Sequence, residues 1–124
     1  MNDLTSNKFK ESLQEAIDLF NNQKWYEAHD AFEDIWNDLV GDERQIVQGI
    51  LQVSVSQFHL NKGNLNGAMI LLGEGLGRIR NRFSEDLEID LLLLCSSLES
   101  LLDKLHKNIP INKNDVPFLK KIKK

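Results

Sequence analysis

Gln45-Ile46-Val47-Gln48-Gly49-Ile50-Leu51-Gln52-Val53-Ser54-Val55-Ser56-Gln57-Phe58-His59-Leu60-Asn61 contains no Lys, Arg, Asp or Glu. A helix with one side in water normally carries charge on that side. At ~100° per residue, Gln45, Gln48, Gln52, Ser56 and His59 gather on one face. Ile46, Val47, Ile50, Leu51, Val53, Val55 and Phe58 cover the others. The stretch therefore predicts a central helix, over about Glu43 to Asn61, surrounded by other helices. Its Gln/Ser/His stripe requires hydrogen-bond partners from a neighbour, because buried polar groups are rarely left unpaired.

Upstream, Trp25, Ala28, Phe32, Ile35 and Leu39 keep an alternating three–four spacing. This predicts a helix from about Trp25 to Leu39, ended by Gly41-Asp42, with Asp42 as the N-cap of the central helix. Before it, Phe9, Leu13, Ala16, Ile17 and Phe20 predict a helix from about Asn7 to Asn21. Downstream, Gly63 ends the central helix and Asn64 caps the next. That helix carries Leu65, Ala68, Met69, Leu72, Leu76 and Ile79, with glycines at 67, 73, 75 and 77. Interior glycines cost roughly 0.5–1 kcal/mol each, so they imply close helix contact or a break near Gly73. A fifth helix is expected from near Ser84 to Lys107, on the heptad Leu87, Leu91, Leu94, Leu98, Leu101 and Leu105. No run alternates with period two.

A weak repeat at an offset of 40 pairs Trp25 with Leu65, Ala28 with Ala68, Phe32 with Leu72 and Leu39 with Ile79. The expectation is an all-α, single five-helix bundle over residues 1–107, made of two helical hairpins closed by the fifth helix. The tail 108–124 carries five lysines and one aspartate, +5 − 1 = +4 against a whole-chain charge of −4. Val116, Phe118, Leu119 and Ile122 interrupt its basic run, which points to a segment packed on the acidic body rather than to nucleic-acid binding.

The net charge of −4 disfavours association with nucleic acid or anionic lipid. Cys95 is the single cysteine, so an internal disulfide is excluded. Met1-Asn2-Asp3-Leu4 has no secretory character, and no apolar run approaches the roughly 20 residues of a membrane span. The expected location is the cytoplasm. Gly73-Glu74-Gly75-Leu76-Gly77 lacks the spacing and the preceding strand of a nucleotide loop. Ser54 and Ser56 near His59 lack the strained exposure of a nucleophile.

His29, Glu33 and Trp36 stand four and three residues apart, within ~60° on the second helix, beside its core stripe. Gln48, Gln52, Ser56 and His59 of the third helix are the natural facing surface. Tyr26-Glu27-Ala28-His29-Asp30-Ala31-Phe32-Glu33-Asp34-Ile35-Trp36 resembles the His-x3-Glu-x2-Trp/Tyr signature of the family called domain of unknown function 309. Gln48-Gly49-Ile50-Leu51-Gln52, His59-Leu60-Asn61-Lys62-Gly63-Asn64 and Gly67-Ala68 resemble its second block, and the resemblance spans about Phe9 to Ile79. Asp30 stands where many members carry Glu, and 53–58 is more polar than the usual alanine-rich version. The resemblance implies a helical fold of open function and a metal held by His29 and Glu33.

Three readings follow. In one, His29, Glu33, Gln52 and His59 are a hydrogen-bonded scaffold network. In another, His29, Glu33 and His59 form a two-histidine, one-carboxylate site for a divalent metal such as zinc or iron. In the third, Trp25, Tyr26, Trp36 and Phe58 wall a pocket for a small ligand or a peptide. The binding residues expected beside the metal set are Gln48, Gln52, Trp36 and Asn64. A homodimer through the leucine face of the fifth helix is a further expectation. Whether the protein is an enzyme does not follow from these residues.

Overall fold

The computed structural model describes residues 6–122; the opening Met1–Leu4 and the final Lys123 and Lys124 lie outside the described residues. Five helices follow one another: α1 (Asn7–Asn21), α2 (Trp25–Trp36), α3 (Gly41–Asn61), α4 (Leu65–Ile79) and α5 (Leu91–His106). A single 3-10 turn, Lys113–Asp115, lies in the tail. Extended pairing among the described residues is limited to one isolated antiparallel bridge, Ile89 with Lys121. The chain is an all-α bundle in which consecutive helices pack as neighbours.

The helices bury most of the stripes their spacing predicts, but Phe9, Val55 and Met69 are only half-buried and Phe58 and Leu65 stay exposed. Leu13, Ala16, Ile17 and Phe20 of α1 meet Trp25, Ala28, Phe32 and Ile35 of α2. Phe20 packs edge-on against both Trp25 and Phe32, with centroids 5.0 and 6.4 Å apart. α3 is buried on several sides, from Ile46 to Gln57, as its lack of charge requires. Its largest neighbour is α4, and the two touch through glycine. A Cβ on Gly49 would lie 2.7 Å from the Gly75 carbonyl oxygen, and a Cβ on Gly75 the same distance from the Gly49 oxygen. The glycines thus mark a close crossing, and α4 runs through Gly73 without a break.

Three boundaries differ from expectation. α2 ends at Trp36, and Asn37 and Asp38 form a turn that still delivers Leu39 to the core. Val40 precedes α3 without a side-chain cap, so Asp42 is no N-cap; it pairs with Arg82 at 2.7 Å instead. α5 starts at Leu91 rather than near Ser84. The Ser84 hydroxyl accepts from the Leu87 N–H and Glu88 has φ +56°, so the chain turns here before Asp90 caps the helix. Leu87 and Ile89 are fully buried from this irregular segment, which is why they imitate the helical spacing. Finally, Leu91, Leu94, Leu98, Leu101 and Leu105 all point into the core. This leucine face is taken up by the chain's own core.

The tail lies on the body. Leu119 is buried, and its N–H and carbonyl both bond to the Asn21 side chain, at 2.7 and 2.9 Å. Asp90 donates to the Lys120 carbonyl and Ile122 to that of Glu88. Lys104 pairs with Asp115 at 2.8 Å. No described helix is long and apolar enough to cross a membrane.

Candidate functional site

The α2–α3 face is built where the start of α2 runs beside the end of α3. Tyr26, in the first turn of α2, projects outward because Trp25 and Ala28 take the core positions. Its ring lies 6.3 Å from that of Phe58 on α3. Phe58 in turn meets His59 edge-on at 6.2 Å, and the Lys62 ammonium stands 5.5 Å above the Phe58 ring. Tyr26 is 63% exposed and Phe58 38%.

His29 follows Tyr26 by about one turn and is partly exposed. Its Nδ1 lies 3.3 Å from Asp30 Oδ1 and its Nε2 3.8 Å from Glu33 Oε2. The second distance is an ion-pair separation, too long for a hydrogen bond. Among the described residues no hydrogen bond joins His29 or Glu33 to α3. Trp36 is half-buried at the far end of α2, under the Arg44 guanidinium, whose carbon stands 3.8 Å from the ring. Arg44 also donates to the Leu39 carbonyl, so the stack fixes the α2–α3 turn.

Two glutamines of the α3 stripe find partners on α4, while the buried Gln52 Oε1 has none among the described residues. Gln52 donates to Glu74 on α4 at 3.2 Å, and Gln45 accepts from Arg78 on α4 at 2.7 Å. The Gly49–Gly75 crossing brings α4 onto this face, so α4 rather than α2 is the hydrogen-bonding neighbour. Ser54 and Ser56 are fully buried and donate within their own helix, to the carbonyls of Ile50 and Val53. Gln48 is half-buried. Glu74 and Arg78, four residues apart on α4, are the partners that sequence reasoning missed; their spacing opposite Gln45 and Gln52 was the available signal.

His59 is held by the cap of the next helix. Asn64 Oδ1 accepts from the Gly67 N–H at 3.0 Å, which orients the amide. Its Nδ2 therefore points at His59 Nδ1, 3.2 Å away. In that orientation the amide can donate to Nδ1, a pairing open to the tautomer protonated on Nε2. Gly67 makes room for this arrangement, since a Cβ there would lie 2.5 Å from Asn64 Nδ2. An imidazole that ligates a metal through Nε2 needs its proton on Nδ1 and an acceptor beside it. His59 in that tautomer has the opposite pattern. Among the described residues no three His, Cys, Asp or Glu side chains gather closely enough to hold a metal ion.

The profile of the family described as domain of unknown function (DUF309) matches residues 13–71. The match covers 59 of the 124 residues. The matched segment runs from the middle of α1 to the middle of α4 and contains Tyr26, His29, Glu33, Phe58, His59 and Asn64, but not Glu74 or Arg78. Comparison with curated proteins and with solved structures gives no match.

Proposed function

We propose that this protein is a small helical interaction module, binding a partner segment on the α2–α3 face through Tyr26, His29, Phe58 and His59. The observation that carries this reading is the exposed Tyr26–Phe58 pair. Aromatic anchors of this kind supply most of the binding energy at interfaces, at small entropic cost. Glu27, Asp30 and Glu33 are exposed around them. The surface therefore suits a segment that pairs an apolar or aromatic side chain with a basic one.

The test is selection of phage-displayed random peptides on the immobilised protein. Enriched peptides should carry Arg or Lys beside an apolar residue. They should lose binding to Tyr26→Ala and Phe58→Ala, and keep it with Val40→Ala, which removes an exposed side chain elsewhere. Failure to enrich, or peptides indifferent to Tyr26→Ala, would refute the reading.

A metal-binding role is the second reading, favoured by one observation: His29 and Glu33 stand one helical turn apart on an accessible face. It requires His59 to leave Asn64, or a ligand from a partner. Protein purified without chelator would then hold stoichiometric zinc or iron that His29→Ala removes; background metal would end it.

A further inference from the structure

The two hairpins repeat at an offset of 40 residues, yet they close differently. In the second, α3 and α4 meet through Gly49 and Gly75. The residues 40 places earlier are Phe9 on α1 and Ile35 on α2. Two large side chains stand where the second hairpin has none. Between α1 and α2 lies an open groove of about 400 Å³, lined by Phe9, Ala31 and Ile35 with Ser12, Glu15 and Asp34. That volume falls in the range of small-molecule sites.

The position of Ala31 sharpens the contrast, because the second hairpin carries Leu71 there. The chemistry of the lining is lopsided. Glu15, Asp34 and Asp38 stand at the rim against a single cation, Lys8. Among the described residues the Glu15 and Asp34 side chains make no ion pair or hydrogen bond, and both residues are exposed. An apolar floor with an aromatic wall beneath unpaired carboxylates matches a molecule with an apolar body and one positive charge.

We infer that the α1–α2 groove is a binding site for a small amphipathic organic cation, an amine or guanidine with an aromatic or aliphatic body. The apolar body lies on Phe9, Ala31 and Ile35, and the charge faces Glu15 and Asp34. This site is separate from the α2–α3 face and does not depend on the function proposed there.

Titration of the full chain with phenethylamine, followed by backbone amide NMR shifts, tests it. Saturable shifts are expected at Phe9, Ser12, Ala31 and Asp34, and phenethyl alcohol should bind more weakly because it lacks the charge. Glu15→Gln with Asp34→Asn should weaken phenethylamine about tenfold, the sum of two exposed ion pairs. Ala31→Leu installs the residue of the second hairpin, leaves every charge in place and should abolish the shifts. Undiminished binding by Ala31→Leu, equal binding of the alcohol, or shifts spread over the other acidic helix faces would overturn the proposal.

Discussion

Alanine at each glycine of the α3–α4 pair should split the substitutions by sign. In a helix interior, alanine is intrinsically better than glycine by about 0.8–1 kcal/mol. At Gly77 an added Cβ meets nothing within 4 Å, and at Gly73 only Leu102 Cδ2 at 3.9 Å. Both replacements should therefore stabilise the protein by about 0.5–1 kcal/mol. At Gly49 the new carbon would sit 2.7 Å from the Gly75 oxygen and 2.6 Å from Ile79 Cγ1. Ordinary contact begins at 3.4 Å, so α3 and α4 must separate by about 0.7 Å. The obstacle is a backbone carbonyl, which moves only with its helix, so the cost belongs in the overpacking range of about 1–3 kcal/mol. A backbone obstacle puts that cost at the upper end, about 3 kcal/mol, and subtracting the gain of about 1 kcal/mol leaves Gly49→Ala about 2 kcal/mol less stable. For a chain of this size that is a fall in Tm of roughly 6–12 °C. Gly75→Ala meets the Gly49 oxygen at the same distance and should behave alike. Urea and thermal unfolding of the four variants measure this directly. A Gly49→Ala protein as stable as the parent, or a destabilised Gly77→Ala, would refute the glycine crossing.

Three further outcomes are expected. The His29→Ala, Glu33→Ala double variant should lose less than about 1 kcal/mol, since the pair is exposed and 3.8 Å apart; a loss of several kcal/mol in thermal unfolding would make the cluster a scaffold. Asn21→Ala removes both hydrogen bonds to Leu119, about 1–3 kcal/mol in all, and the Leu119 amide should lose hydrogen-exchange protection while α3 amides keep theirs. The Asp115 carboxyl is held below its ordinary 3.8 by the Asn112 N–H and by Lys104. A depressed folded-state value stabilises above the unfolded value and is lost as pH falls through the folded one. Carbon-detected NMR should find its midpoint under 3.8, and Lys104→Met should raise it.

The helices were legible because their burial stripes are long and regular. α1 and α4 could be read closely because Asn-rich turns, a glycine and an Asn cap punctuate them. α3 was legible as central from its missing charge alone. The start of α5 was not legible, because Leu87 and Ile89 reach the core from a turn pinned by the tail, a contact no local pattern encodes. The candidate site divided along the same line. Residues one turn apart on α2 do share a face, as helical geometry demands. Which neighbour the α3 stripe meets was set by the Gly49–Gly75 approach, and sequence spacing could signal close packing there without naming the partner. Asn64 was legible as a cap, but its second bond, to His59, depends on the fold of the turn.

The two hydrogen bonds between Asn21 and Leu119 join residues 98 positions apart. During synthesis, α1 and α2 are therefore formed and exposed long before the segment that clasps them exists. The first hairpin has to persist on its own edge-on Phe20, Trp25 and Phe32 packing. Tail docking then acts as a late latch, and a contact of such high order slows the final step more than it steers the early ones. A nascent chain stalled before residue 119 should hold its first two helices while exchanging amide protons freely at the end of α1.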